Sequence, residues 1–184
     1  MVFLEVGYTT AMSDAISQLQ MVYVPEEDRI LFRVNSIGKK EFRFWVTRRY
    51  AMLMAKVLND HKQTDPDISS QVTEEAKEAV QNFKKEKAMD EATFGEKFKE
   101  EGNEYPLGKN IQLAFKLSYN MRSNGTLNLN VQPKEGQGIS IVLNQDINTT
   151  LTQLLIVAGN KGDWELGDLF VRNSADKQNG TLIN

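Results

Sequence analysis

The stretch that decides the fold runs from Ile30 to Leu58 and reads ILFRVNSIGKKEFRFWVTRRYAMLMAKVL. In its first half, apolar residues recur at every second position, and in its second half they recur every three or four positions. The first period is typical of a strand with one buried face, and the second is typical of a helix. Gly38 lies between the two alternating runs, where a hairpin turns. The stretch therefore predicts strand, turn, strand and helix.

A second stretch, from Leu127 to Leu155, follows the same plan and reads LNLNVQPKEGQGISIVLNQDINTTLTQLL. When the first stretch is moved 97 positions along the chain, apolar residues fall on apolar residues at ten positions without a gap. The predicted helix starts also coincide, because Thr47 falls on Asn144 and both residue types cap helices. We predict an internal repeat in which the order of apolar positions is kept, although few identical residues are. The alternative is two unrelated hairpin-and-helix units that align by chance.

A further strand is predicted before each copy, at Leu19–Val24 and at Ile111–Asn120, so each half is βββα. The fold class predicted is α+β: two βββα repeats related by a pseudo-twofold, with antiparallel sheets, packed helices and a charged helical insert. The predicted boundaries are 1–17 for an N-terminal extension, 18–62 for the first repeat, 63–105 for the acidic helical insert, 106–164 for the second repeat and 165–184 for a C-terminal tail.

The insert is predicted to hold one helix from Ile68 to about Met89, because apolar residues recur there at spacings of three and four. They form a narrow stripe of four residues: Val72, Ala76, Val80 and Phe83. We expect the helix to lie along the sheet with this stripe inward. The alternative is a helix that binds a partner or dimerises.

Charge is unevenly distributed along the 184 residues, although the net charge is only −3. The first repeat carries nine lysines and arginines against five acids between Gln18 and Lys62. The insert carries six against twelve between Asp65 and Tyr105. The two segments therefore either shield one another or face different partners.

Composition argues against several classes of function. The chain has no cysteine and one histidine, so no thiolate or multi-histidine metal site is expected. That histidine, His61, lies in a polar segment and is predicted to be solvated. No carboxylate pair, phosphate loop or dinucleotide fingerprint is recognisable, so no enzyme and no cofactor are expected. No apolar run approaches the roughly 18 residues of a membrane span. We expect a cytoplasmic protein.

The outward side of the first hairpin is the candidate binding face. If Phe42 and Phe44 point to the core, strand alternation turns Arg43 and Trp45 the other way, together with Arg33. Cations and aromatic rings on strands suit single-stranded nucleic acid, because bases stack on the rings while the cations attract the phosphates.

Arg48 and Arg49 extend this set into the first turn of the helix. The helix start carries partial positive charge, so arginines there are locally unfavourable and suggest an anion site. The alternative is structural. The arginines pair with the insert, and Trp45 is covered by the insert or by the other repeat.

Two resemblances bear on these predictions. At EFRFWVTRRY (41–50), NFKKEKAMDEATFGEKF (82–98) and EGQGISIVLN (135–144), the chain resembles a family of uncharacterised proteobacterial proteins over about Ile16 to Trp164. That resemblance implies no activity and no site residues. The paired units of sheet and helix are similar in plan to the whirly and PC4-like single-stranded DNA binders, which have four strands before each helix.

The function predicted from the sequence is a non-enzymatic interaction protein that binds a protein partner or forms a homo-oligomer. Single-stranded nucleic acid binding is the alternative, through the five residues of the candidate face: Arg33, Arg43, Trp45, Arg48 and Arg49. Neither membrane nor metal is expected as a partner.

Overall fold

The computed structural model describes residues 15–91, 98 and 104–168. The predicted N-terminal extension up to residue 14 and the C-terminal tail from residue 169 lie outside this part. The described strands are β1 (Ile16–Val24), β2 (Arg29–Ser36), β3 (Glu41–Val46), β4 (Gln112–Leu113), β5 (Lys116–Met121), β6 (Leu127–Gln132) and β7 (Ile139–Leu143). The described helices are α1 (Arg48–Lys62), α2 (Pro66–Ser69), α3 (Glu74–Glu91) and α4 (Gln145–Lys161).

The strands form two sheets, with the orders β1-β2-β3-β4 and β5-β6-β7. The predicted α+β class is confirmed. The predicted single strand over Ile111–Asn120 is wrong, because the chain changes sheets within it. Gln112 and Leu113 pair in parallel with β3, whereas the chain from Lys116 onward pairs antiparallel with β6. Ala114, which is buried, lies at the crossing between the two sheets.

The two central hairpins have the same register. Ile30 lies opposite Val46 in the first sheet, and Leu127 lies opposite Leu143 in the second, so both pairs are related by the offset of 97. The inward side chains are fully buried: Ile30, Phe32, Val34, Phe42, Phe44 and Val46 in the first sheet, and Leu127, Leu129, Val131, Ile139, Ile141 and Leu143 in the second.

Helices α1 and α4 begin in the same way. The Thr47 hydroxyl accepts from the Tyr50 amide at 3.3 Å, and the Asn144 side-chain oxygen accepts from the Ile147 amide at 2.8 Å. These are the two helix caps that the sequence predicted.

The halves share one core because each helix packs against the other half. α1 contacts β5, α4 contacts β1, and the two helices contact each other. The Tyr50 hydroxyl donates to the Lys116 carbonyl at 3.2 Å, and the Tyr23 and Trp164 rings meet edge to face at 5.7 Å. Burial raises the pKa of Tyr50, so this hydroxyl stays protonated as a donor.

His61 joins the halves through a buried polar network, so its prediction as a solvated residue is wrong. α1 continues to Lys62, and its last turn carries the imidazole inward. Nδ1 accepts from the Asn148 side-chain amide at 2.9 Å, so Nε2 carries the proton donated to the Gly125 carbonyl, also at 2.9 Å. The same amide reaches the Leu58 carbonyl at 3.0 Å. The network therefore links the end of α1 to α4 and to the turn before β6.

The predicted insert helix is divided in two. Asp65 caps α2, which begins at Pro66, and α3 starts only at Glu74. α3 packs against α4, and Val72 and Phe83 are 94% and 67% exposed, so the expectation of a buried stripe along the sheet is wrong.

Lys84 of α3 holds α3 against α2 within the insert. Its ammonium lies 2.8 Å from Asp67 and also pairs with the buried Asp65. Burial opposes its charge, but the hydrogen bonds to both carboxylates raise the pKa of Lys84 overall.

Gly138 is the position where an added methyl group is least tolerable. A Cβ there would lie 2.3 Å from the Val131 carbonyl oxygen and 2.8 Å from the Gln132 Cα, both of which are backbone atoms. We expect Gly138→Ala to lower the free energy of unfolding by about 2 kcal/mol or more, measured by urea denaturation. Gly167→Ala is the matched control, because its Cβ would meet nothing closer than 3.9 Å. Equal losses in the two variants would contradict the close approach at Gly138.

Candidate functional site

The first sheet brings the predicted strand residues to one face. Arg33 lies opposite Arg43, and Leu31 lies opposite Trp45, on the side away from the core. The placement of Arg33, Arg43 and Trp45 on a common outward surface agrees with the strand alternation in the sequence. None of the three side chains is nevertheless fully open to solvent.

Arg33 is buried, contrary to the expectation of an open cation. Its Nε donates to Glu41 Oε1 at 3.0 Å, and a terminal nitrogen lies 2.9 Å from the same oxygen. The other terminal nitrogen donates to the Gln20 side chain at 3.3 Å, and the Phe98 ring covers the guanidinium at 4.1 Å. Arg33 is therefore held by Glu41, Gln20 and Phe98. The alternation pattern could not show this, because Phe98 lies 65 residues further along the chain.

Arg43 and Trp45 are half-buried. The Arg43 guanidinium stacks on Tyr105 at 4.1 Å and donates to the Lys109 carbonyl, while Trp45 pairs with Leu113 of β4. Phe98 and Tyr105 both belong to the segment 63–105. At Arg33 and Arg43, an aromatic ring of this segment therefore lies on each guanidinium group.

Arg48 and Arg49 are exposed in the first turn of α1, which contains no acidic residue. Neither pairs with a carboxylate among the residues that the structure describes. The helix continues this exposed surface with two apolar side chains and one further cation. We call the set the α1 face: Arg48, Arg49, Met52, Leu53 and Lys56.

Sequence reasoning missed Met52 and Leu53. Their spacing of four from Arg48 and Arg49 was the available signal, because residues four apart lie on the same side of a helix. Met52 is 43% exposed and Leu53 is 50% exposed. Large apolar side chains beside unpaired cations are the unusual feature of this helix.

A cavity of about 260 Å3 between the segment 106–112 and the β6–β7 loop contains Glu135 as its single titratable side chain. One carboxylate offers no acid–base pair. Over residues 15–91, 98 and 104–168, no group of three or more His, Cys, Asp or Glu residues is placed to hold a metal ion. None of the described helices has the length and apolar composition needed to cross a bilayer.

Comparison with known proteins gives no match to a protein-family model, a curated protein or a solved structure. The resemblances to the proteobacterial family and to the whirly and PC4-like binders stay predictions.

The buried ion pair of Arg33 and Glu41 can be tested by substitution. Glu41→Gln removes the charged partner that lies 2.9 Å from the buried guanidinium, and we expect the free energy of unfolding to fall by about 3 kcal/mol. The double variant Arg33→Leu, Glu41→Leu removes both charges and should lose less than Glu41→Gln alone. Urea denaturation of the wild type, Arg33→Leu, Glu41→Leu and the double variant measures the coupling. Additive losses would show that the two side chains do not interact.

Proposed function

We propose that the protein is a non-enzymatic, cytoplasmic interaction protein that binds a protein partner through the α1 face. The observation that carries the proposal is the exposure of Met52 and Leu53 beside Arg48, Arg49 and Lys56. A partner suited to this surface presents apolar side chains bordered by carboxylates. Apolar contacts supply most of the affinity of such interfaces, and complementary charges set orientation and association rate.

We also propose that the two halves are βββα repeats related by a pseudo-twofold, with residues 63–105 as a charged insert. The common register at the offset of 97 supports this, and so does the reciprocal packing of α1 on β5 and of α4 on β1. The relation matters for function because α1 and α4 then occupy equivalent places. α4 has Asp146 in its first turn, where α1 has two arginines, so the α1 face is specific to the first half.

Single-stranded nucleic acid is the second candidate partner. The observation in its favour is the pair of exposed arginines at the start of α1. They follow the half-buried Trp45, near the end of β3, by three and four positions. Burial of Arg33 and stacking of Arg43 on Tyr105 weigh against it, since both guanidinium groups already have partners within the chain. Met52 and Leu53 also offer no ring on which a base could stack.

Site-specific photo-crosslinking tests the leading proposal. A benzoylphenylalanine residue placed at Leu53 should form adducts with a defined protein in cells that express the chain natively. The same residue at Ile37, which is 70% exposed in the β2–β3 turn, is the control and should not form them. Adding Arg48→Glu and Arg49→Glu should abolish the Leu53 adducts by reversing the local charge. Identical adducts from both positions, or none from Leu53, would refute the α1 face as a protein-binding site.

Fluorescence titration with short single-stranded oligonucleotides separates the two candidates. If the α1 face binds a protein partner, we expect no binding of the oligonucleotides even at low ionic strength. The deciding comparison is between an Arg48→Ala, Arg49→Ala variant and a Lys134→Ala, Lys161→Ala variant, because each removes two exposed positive charges. Binding that weakens steeply with salt and is lost only in the arginine variant would establish nucleic acid as the ligand instead.

A further inference from the structure

The outer edge of β7 has unused hydrogen-bonding groups. Within residues 15–91, 98 and 104–168, β7 has β6 on one side and no strand on the other. The Arg122 amide donates to the Thr126 carbonyl at 2.8 Å, in register with the β5–β6 ladder. Even-numbered residues of β6 therefore bond to β5, and odd-numbered residues bond to β7, because alternate residues of a strand direct their backbone groups to opposite sides.

The same alternation of odd- and even-numbered residues determines which backbone groups of β7 have no hydrogen-bond partner in the described part of the chain. Its odd-numbered residues, Ile139, Ile141 and Leu143, lie opposite the odd-numbered residues of β6 and bond to them. The amides and carbonyls of Ser140 and Val142 therefore point to the open edge. They are two donors and two acceptors, and no bond among the described residues uses them.

The equivalent edge of the first sheet is already occupied. The Glu41 amide of β3 donates to the Glu104 carbonyl at 2.7 Å, and the Ala114 amide donates to the Trp45 carbonyl at 2.9 Å. Trp45 and Val142 are related by the offset of 97. The first half thus shows what this edge accepts, namely an extended segment bonded through its backbone.

β7 also lacks the features that keep an edge strand from pairing. Ile139–Leu143 contains no charged residue and no proline, and its pairing with β6 shows no irregularity of register. Soluble proteins usually protect a regular edge with charges, proline or a bulge. An unprotected edge is therefore a site for strand addition.

A second copy of β7 fits this edge. When two copies run antiparallel about a twofold axis at Ile141, Ser140 of each lies opposite Val142 of the other. Each such pair exchanges two N–H to O=C bonds, so all four free groups of both strands are used. Ile139 then lies opposite Leu143 on the core side, and apolar residues meet apolar residues.

We propose that two copies of the chain associate through this pairing and form one six-stranded sheet, β5-β6-β7 continued by β7-β6-β5 of the second copy. The contact goes beyond the proposed function, because it lies on a different element from the α1 face. It is also small, so the expected dissociation constant is weak, on the order of 100 µM.

Mixed disulfide formation tests the register. The chain has no cysteine, so Ser140→Cys and Val142→Cys introduce the only thiols. Opposite Cα atoms of a bonded pair lie about 5.5 Å apart, within disulfide range, whereas like positions lie on a diagonal of about 7–8 Å. We expect a covalent dimer in an oxidised mixture of the two variants and little in either variant alone. Equal cross-linking of each variant with itself, or no cross-linking in the mixture, would overturn the proposed pairing.

Sedimentation equilibrium over roughly 10 µM to 1 mM tests the association itself. Val142→Pro removes an outward amide without touching the β6 ladder, and it should raise the dissociation constant about tenfold or more. Val142→Thr keeps the amide and is the control.

Circular dichroism of the monomers establishes that both variants fold, and a proline variant that fails to fold is replaced by Ser140→Pro. A wild-type chain that remains monomeric throughout overturns the proposal. An Arg48→Ala, Arg49→Ala variant should dimerise normally, so loss of the α1 face and loss of this contact are distinguishable.

Discussion

The structure depends on the reciprocal packing of two long helices across the two halves. Each sheet has one apolar face, which must be buried against another element. Because α1 contacts β5 while α4 contacts β1, the inner faces of both sheets become one core. The polar network of His61 and Asn148 lies at the same junction, with its donors and acceptors matched. Such a network favours one alignment of the helices, since other alignments leave a buried imidazole unsatisfied.

Residue pattern alone predicted the parts of the fold that follow from local periodicity. The hairpins, their common register and both helix caps could be predicted, since a period of two or of three to four fixes which residues face inward. Long-range pairings could not. Nothing local indicates that Gln112 and Leu113 pair with β3, or that Phe98 reaches Arg33. His61 was misplaced because a polar sequence neighbourhood does not reveal a buried partner in the other half.

Strand alternation predicted which residues share a face of the first sheet, but not which of them are accessible. Strand alternation correctly placed Arg33, Arg43 and Trp45 on one surface, but side chains of the segment 63–105 cover two of them with aromatic rings. A guanidinium group is weakly hydrated and stacks well on rings, so an arginine-rich strand face can serve internal packing as readily as ligand binding. Arg48 and Arg49, on the solvent side of α1, keep their charge available to a partner.

The differences between the halves are therefore more informative about function than the features that they share. The common features are those that build the core: register, caps and buried apolar residues. In the first half, the chain's own later segments cover the strand face and fill the outer edge of β3, which leaves the helix face as the accessible surface. In the second half, no described residue fills the equivalent edge, and the helix start carries an aspartate in place of arginines. The two halves thus present unlike surfaces, with an accessible helix face in the first and, among the described residues, an open strand edge in the second.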